Sequence, residues 1–311
     1  MEPPTHPRLA ALVERARRLS AAHGAPGVGI VYPCDALALD AAARMDDAGI
    51  ARPVLIGPRS QIGQAADAAG IDVRRFELIE TPGAPAEAAL RATRLARDGA
   101  VRALMKGSLH TDELMSAVVH KTTGLRGEHR ISHAFVFDLP RYPKLLALAD
   151  CVVNITPHLA AKRDILTNAI ALLHRLGIAH PKIAIIAAVE IVNPAIPATL
   201  DAQALVALAQ QGEWPGAIVE GPFGFDNAIS AEAARTKRID STVSGDADLL
   251  LMPDLNAGNM LYKSFNYIGG GDCAGLVLGA RLPIVLTSRA DSLQSRIASV
   301  ALAVLTSGLG D

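Results

Sequence analysis

Residues 282–305 read LPIVLTSRADSLQSRIASVALAVL, and the fold class is predicted from the pattern of this stretch. An apolar, β-branched run ends in Ser288 and Arg289, and Asp291 then opens a segment with apolar residues at helical spacing. A short buried strand followed directly by a helix is the repeating unit of α/β proteins with mostly parallel strands. The stretch therefore predicts a strand that ends at Ser288 and Arg289 and a helix that begins at Asp291.

The same alternation of short β-branched runs with Ala- and Leu-rich stretches continues through all 311 residues. Eleven runs are predicted to be strands, which is more than one ordinary doubly wound sheet contains. The chain is also long for a single hydrophobic core. The sequence therefore predicts the α/β class, with two α/β domains and a cleft between them where ligands tend to bind.

Charge and composition exclude several classes of function. The 30 basic and 31 acidic side chains balance, so the chain lacks the overall positive charge that would attract nucleic acid or a membrane surface. No apolar run reaches the roughly 18 to 20 residues that span a bilayer, and no secretory signal is evident, so we expect a cytoplasmic protein. The three cysteines are scattered, which argues against a disulfide framework and a metal site.

The first candidate site segment is MKGSLHTDELM, residues 105–115, in which a predicted strand turns into a predicted helix. Lys106 stands at the strand end, beside the backbone N–H groups and the positive dipole end of the helix. This arrangement suits an anion. An ordinary strand–helix turn with Thr111 as the helix N-cap explains the same residues without a ligand.

The second segment is MPDLNAGNMLYKSFNYIGGG, residues 252–271, where a buried strand runs into a polar loop before a helix. Asn256, Gly258 and Asn259 are small or amide residues, which let the backbone approach a ligand and hydrogen-bond its polar parts. Lys263 follows on the predicted helix. Asp and Asn residues also make turns and caps without any ligand.

The third segment is the tip of the final strand. Ser288 and Arg289 are predicted to stand beside a helix N-terminus, where the charge of a phosphate group is readily matched. The guanidinium of Arg289 can bind two phosphate oxygens at once, which a lysine cannot do. Asp291 is explained as the N-cap of the following helix.

Together these segments resemble the phosphate acetyltransferase and phosphate butyryltransferase family. The resemblance is specific in VSGDADLLLMPDLNAGNMLYK and PIVLTSRADS, is good in VEGPFGFDNAIS and ALADCVVNITP, and spans roughly Lys106 to the C-terminus. It implies two α/β domains of the isocitrate/isopropylmalate dehydrogenase-like type, with residues 132–279 inserted into a first domain of residues 1–131 plus 280–311. It also implies a homodimer with the active site in the interdomain cleft.

The resemblance implies reversible transfer of a short acyl group between coenzyme A and phosphate, by direct attack in a ternary complex and without a tightly bound cofactor or metal. Ser288 matches the family serine thought to serve the thiol and the developing charge. Arg289 matches the arginine that binds the transferring phosphate, and Arg130 is expected to be a second arginine of the site. The other predicted ligand-binding residues are Lys106, Asn256, Gly258, Asn259 and Lys263.

One departure from the family pattern concerns the general base. Acetyltransferases of the family usually carry an aspartate seven residues after the serine, and here that position is Ser295. Asp291 is the nearest acid and completes the predicted catalytic set, but the base is left unassigned. The LTSRADS form resembles the butyryltransferase branch, so acetyl and butyryl both remain open.

Two other functions and one other mechanism fit parts of the sequence. A dehydrogenase that uses a metal and a nicotinamide on the same fold would need Asp246, Asp248 and Asp254 as metal ligands. A non-catalytic acyl-CoA sensor would bind without turnover. A covalent route would use Cys273 as the acyl carrier, although a small buried residue at the start of a strand explains this cysteine.

Overall fold

The computed structural model describes residues 6–286 and 291–310, so Ser288 and Arg289 lie outside the described residues. Within those ranges strands and helices alternate along most of the chain, as predicted. The strands are β1 (Gly27–Val31), β2 (Arg52–Gly57), β3 (Glu77–Glu80), β4 (Ala103–Lys106), β5 (Ser132–Asp138), β6 (Leu146–Ala149), β7 (Lys182–Ile186), β8 (Ile218–Phe223), β9 (Leu249–Leu251), β10 (Asp272–Leu278) and β11 (Ile284–Val285). The helices are α1 (Pro7–His23), α2 (Ala36–Asp47), α3 (Arg59–Ala69), α4 (Pro85–Arg97), α5 (Thr111–Val118), α6 (Leu159–Arg175), α7 (Pro197–Gln210), α8 (Phe225–Ile229), α9 (Ala231–Thr236), α10 (Leu255–Tyr267) and α11 (Leu293–Thr306).

The chain divides into two compact units, residues 1–131 with 274–311 (unit 1) and residues 132–273 (unit 2). The division falls at 131/132 and 273/274, whereas the boundaries expected from the sequence are 131/132 and 279/280. The second boundary differs because β10 begins in unit 2 at Asp272 and continues into unit 1, where Val277 pairs with Ile284 of β11.

The sheet of unit 1 has the strand order β3–β2–β1–β4–β11–β10. All neighbours are parallel except β10, which runs antiparallel to β11. β1 is buried along its whole length, as expected for an apolar strand in the middle of a parallel sheet. Because the strand order reverses beside β1, the carboxyl ends of β1 and β4 form the switch point where open α/β sheets bind ligands.

The sheet of unit 2 has the strand order β5–β6–β9–β7–β8. β5 and β6 are antiparallel, and the other pairs are parallel. Its core is rich in aromatic rings, and Phe137 packs edge-on against Phe265 of α10 at 5.1 Å. This contact fixes α10, which carries most of the second candidate segment, against the sheet.

Two predicted helix caps are wrong by one residue. Ser292 caps α11, since its Oγ accepts a hydrogen bond from the Ser295 N–H at 2.9 Å, so Asp291 is not the cap. His110 holds the N-cap position of α5, and Thr111 is the first helical residue. Of the helices formed by residues 6–286 and 291–310, none combines the length and apolar character that a bilayer crossing requires.

Candidate active site

The carboxyl ends of three neighbouring strands lie at one edge of the sheet in unit 1, and the first candidate segment begins there. Lys106, the last residue of β4, pairs with Val31, the last residue of β1. On the other side of β4, Val285 of β11 pairs with Met105. Because these pairs are parallel, all three strands end at the same edge of the sheet.

A cavity of about 230 Å³ lies at this edge. It contains two cationic side chains, Lys106 and Arg296, and Arg296 of α11 is only 4% exposed. A buried guanidinium that lines a cavity is placed to bind an anion, because burial strengthens its charge-assisted hydrogen bonds. Within residues 6–286 and 291–310, the cavity is lined by Asp35, Leu37, Ala38, Lys106, Gly107, Ser108, Leu109, His110, Thr111 and Arg296.

The turn after β4 is packed tightly against the end of β1. The Gly107 N–H donates to the Val31 carbonyl and the Ser108 N–H to the Tyr32 carbonyl, both at 2.9 Å. The Ser108 hydroxyl donates to the Tyr32 carbonyl at 2.8 Å and accepts from the Cys34 N–H at 3.1 Å. A Cβ at Gly107 would lie 2.5 Å from both carbonyl oxygens, so only glycine allows this approach. These contacts fix the direction of the Lys106–Ser108 turn at the cavity.

Two helices begin at the cavity wall. α2 starts beside Asp35, whose Oδ1 accepts from the Ala38 N–H at 2.8 Å. α5 starts beside His110, whose backbone N–H donates to Glu113 Oε2 at 2.8 Å. The positive ends of both helix dipoles therefore add to the charges of the two cations, which favours an anionic ligand.

The second candidate segment belongs to unit 2, and its expected polar loop is wrong. Asp254 is the N-cap of α10, since its Oδ1 accepts from the Ala257 N–H at 3.0 Å, so Asn256, Gly258 and Asn259 are helical. A Cβ at Gly258 would lie 2.5 Å from the Asp150 carbonyl oxygen, and the Asn259 amide donates to the Cys151 carbonyl at 3.3 Å. Gly258 and Asn259 thus have packing roles in unit 2.

The remaining predicted ligand-binding residues lie on the surface. Asn256 and Lys263 are exposed on α10, and Arg130 is exposed just before β5. None of these three lines the cavity of unit 1. Of the described residues predicted to bind substrate, Lys106 alone lies in the cavity wall.

The metal-ligand set needed for a dehydrogenase does not converge. Asp246 and Asp248 precede β9, where the Lys144 ammonium lies 2.8 Å from Asp246 Oδ1 and 2.7 Å from Asp248 Oδ1. Asp254 follows the opposite end of β9 and caps α10. The three carboxylates therefore lie at two ends of one strand and have structural partners.

Cys273 lies in the hydrophobic core of unit 2 and is 4% exposed. Its neighbours in this core include Phe265 and Cys151. This location fits the role of a small apolar core residue, because a catalytic thiol needs access to its substrate.

A buried polar network lies at the end of β6. Residues 151–155, a run whose composition predicts a strand, form a turn instead, because the Asp150 carboxylate organises their backbone. It accepts from the N–H groups of Val152 and Val153 at 2.8 and 2.9 Å and from the Asn154 amide at 2.6 Å. Burial raises the pKa of Asp150, against the effect of these hydrogen bonds.

We expect the buried imidazole of His133, next to this network, to make the stability of the chain depend on pH. Burial lowers the pKa of its imidazole from 6.5 to about 3. Between these values the unfolded chain binds a proton that the folded chain excludes, so this residue makes unfolding easier as the pH falls from 6.5. In urea denaturation between pH 7 and 5, this histidine should make the free energy of unfolding fall by up to about 1.4 kcal/mol per pH unit. His133→Leu should remove this contribution to the slope. The exposed His174→Leu is the control, and equal slopes in His133→Leu and the parent chain would refute the assignment.

A parallel α/β unit whose switch point carries two cations and two helix N-termini is typical of enzymes that bind phosphate groups. Comparison with known proteins identifies the class more closely. The family model described as Phosphate acetyl/butaryl transferase matches residues 84–304. The phosphate acetyltransferase of Rhizobium meliloti is 49% identical over 282 residues, which are 90% of this chain and 89% of that protein.

Two further proteins extend the comparison. The phosphate butyryltransferase of Clostridium acetobutylicum is 38% identical over 281 residues, which are 90% of this chain and 93% of that protein. The crystal structure of a branched-chain phosphotransacylase from Enterococcus faecalis V583 is 28% identical, with a TM-score of 0.81 over 91% of this chain and 99% of that one. The chain belongs to the phosphate acetyl/butyryltransferase family and is an acyltransferase. The predicted family, fold class and enzyme class are confirmed.

Several cavity residues are missing from the sequence-based prediction, and Arg296 is the most important of them. One signal for it was available: it is a lone arginine in an apolar stretch of the helix that follows the final strand. A charge on the buried face of a helix needs a binding or structural reason, since arginines are rarely buried. His110 and Asp35 gave no comparable signal, because both look like ordinary residues at helix starts.

Proposed function

We propose that this chain catalyses the reversible transfer of a short acyl group between coenzyme A and inorganic phosphate. The observation that carries the proposal is the unit 1 cavity, where Lys106 and Arg296 meet the N-termini of α2 and α5. This chemistry suits the phosphate group of an acyl phosphate or inorganic phosphate itself. Coenzyme A is the second substrate, and no tightly bound cofactor is needed.

Acetyl is the proposed acyl group. The acetyltransferase relative is 49% identical to this chain, whereas the butyryltransferase relative is 38% identical. The LTSRADS motif favours the butyryl branch, but it covers only seven residues, so the identity over the whole chain weighs more.

The experiment that tests the function follows thioester absorbance with coenzyme A and a C2 to C5 series of acyl phosphates. We expect turnover with the acyl phosphates of this series, and we expect acetyl phosphate to give the highest kcat/KM. Binding of coenzyme A without turnover of any acyl phosphate would contradict the proposal and favour a sensor. A maximum at C4 would contradict only the choice of acetyl.

Ser288, Arg289 and Asp291 form the proposed reactive tip beside this cavity. The chain reaches Ser288 two residues after Leu286, and two residues span at most about 7 Å. The end of β11 beside β4, the strand that carries Lys106, supports the proposal that the tip takes part in the same site. Asp291 stays in the proposed set because the cap of α11 is Ser292. The assignment of Arg130, Asn256 and Lys263 as residues that bind phosphate or coenzyme A stays a prediction.

Arg289→Ala is expected to raise the KM for the acyl phosphate and to lower kcat. The combined loss in kcat/KM should correspond to about 3 kcal/mol, because a bidentate guanidinium–phosphate contact is removed where charge develops. Steady-state kinetics with acetyl phosphate measures both constants, and Arg102→Ala, on the surface of unit 1, is the matched control. Near-normal kinetics in Arg289→Ala would remove this residue from the site.

We also propose that the chain works in the cytoplasm as a homodimer. Three apolar side chains in and just after α10 are strongly exposed: Met260 at 64%, Tyr267 at 73% and the C-cap residue Ile268 at 87%. Met260 and Tyr267 lie seven residues apart and thus on one helix face, and such clustered apolar exposure marks association surfaces. Light scattering should give twice 32.5 kDa for the parent chain and for the control Leu200→Asp, but a single 32.5 kDa for Ile268→Asp. A monomeric parent chain would contradict the proposal.

A further inference from the structure

The proposed reaction requires a group that accepts the proton of the coenzyme A thiol, because the thiolate is the nucleophile. The position of the usual family aspartate holds Ser295, which cannot act as a base at neutral pH. Ser295 is also 6% exposed and lies in the first turn of α11, where its N–H donates to the cap residue Ser292. The base must therefore come from elsewhere in the chain.

Among the residues that the structure describes, the titratable ones that line the cavity are Asp35, Lys106, His110 and Arg296. Lys106 and Arg296 are cations and suit binding of phosphate. The Asp35 carboxylate is engaged as the cap of α2. His110 differs from these three, because Glu113 satisfies its backbone N–H while its ring makes no capping hydrogen bond.

We propose that His110 is the general base that accepts the thiol proton. This inference rests on the proposed function. The residue is exposed at the cavity wall, so an entering ligand can reach it, and imidazole is the side chain that exchanges protons near neutral pH. It stands at the positive end of α5, on the wall that also carries Lys106, so the site brings the base and the proposed phosphate-binding groups together.

The transfer is balanced without any further reactant. His110 takes the proton from the thiol, and the sulfur electron pair forms the C–S bond with the acyl carbon. The bond between the acyl carbon and the phosphate oxygen breaks, and its electrons go to that oxygen. The imidazolium then returns its proton to the leaving phosphate, which departs as hydrogen phosphate. In the opposite direction the same imidazole takes a proton from hydrogen phosphate and gives one to the leaving thiolate.

The charged groups around His110 are of both signs. β4 supplies Lys106, α11 supplies Arg296, and α2 supplies Asp35. The first turn of α5 itself carries Asp112 and Glu113. The pH dependence of the parent chain's activity therefore reflects His110 and these neighbouring charges together. Only comparison with variants shows whether an ionisation belongs to His110.

The experiment measures kcat/KM for thioester formation from acetyl phosphate and coenzyme A between pH 5.5 and 8.5. We expect the parent chain to gain activity with pH through one ionisation. His110→Ala and His110→Gln should lose about 10²- to 10³-fold in kcat and lose that ionisation. Added imidazole should restore activity to His110→Ala in proportion to its concentration. The exposed histidine variant His174→Ala should behave like the parent chain.

Two results would overturn the proposal: full activity in His110→Ala, or loss of activity that imidazole does not restore. Asp291→Asn tests the competing base. If this variant loses the ionisation while the His110 variants behave like the parent chain, Asp291 is the base. Failure of the proposed function looks different, because then the parent chain itself forms no thioester at any pH. Thermal melts show whether each variant is folded.

Discussion

Replacing Arg296 by glutamine is expected to lower kcat/KM for acetyl phosphate by about 10²- to 10³-fold. The reason is the burial of this guanidinium, 4% exposed, in the wall of a cavity that already collects Lys106 and two helix N-termini. Little solvent screens a charge in such a place, so its contribution to holding a phosphate is larger than that of a surface arginine. Loss should appear in both KM and kcat, because charge develops on the phosphate as it leaves.

Two variants make this result specific. Arg296→Lys keeps the charge without the planar fork, so it should lose less than Arg296→Gln. Arg102→Gln removes an exposed arginine from unit 1 and should leave kcat/KM within about 2-fold. If Arg296→Gln melts like the parent chain and keeps its kcat/KM, the cavity is not the phosphate site.

Gly107→Ala is expected to destabilise the chain by about 3 kcal/mol and to abolish most of the activity. The added Cβ would lie 2.5 Å from the carbonyl oxygens of Val31 and Tyr32, and these are backbone atoms that cannot rotate away. The turn that carries Lys106 and Ser108 must therefore move, and the cavity wall moves with it. Urea denaturation measures the loss of stability, and the acetyl phosphate assay measures the loss of activity.

Gly63→Ala is the matched control for this substitution. Gly63 lies inside α3 with nothing within 4 Å of the position of its Cβ. Alanine is the better helix former there, so Gly63→Ala should stabilise the chain by about 1 kcal/mol and keep full activity. Equal stability of Gly107→Ala and the parent chain would show that the turn after β4 tolerates a side chain.

The fold was largely predictable because strands and helices differ in the period of their apolar residues. The run from Pro283 onward shows this, since its apolar strand and its amphipathic helix both appear in the structure. Composition misled at residues 151–155, where β-branched residues suggest a strand but the Asp150 carboxylate holds a turn. A buried side chain that binds several backbone groups has no periodic signature.

The candidate site was predictable only in part. Lys106 was accessible to sequence reasoning because a strand end followed by glycine and a helix is a local pattern. Arg296 comes from another element, and only the parallel pairing of β4 with β11 brings its helix to the same cavity. Asn256, Gly258 and Asn259 were misread as a loop because Asp254 caps α10, so the helix already begins at Leu255. Asn and Gly in the first turns of a helix look the same in a sequence as Asn and Gly in a polar loop.

A crystal structure of the chain with acetyl phosphate and a coenzyme A analogue that lacks the thiol would show where the phosphate group binds. The prediction is that the phosphate group lies in the unit 1 cavity, within about 3.2 Å of donors on Lys106, Arg289 and Arg296. An acetyl phosphate bound elsewhere, with the cavity empty and the side chains of Ser288 and Arg289 turned to bulk solvent, would contradict the account.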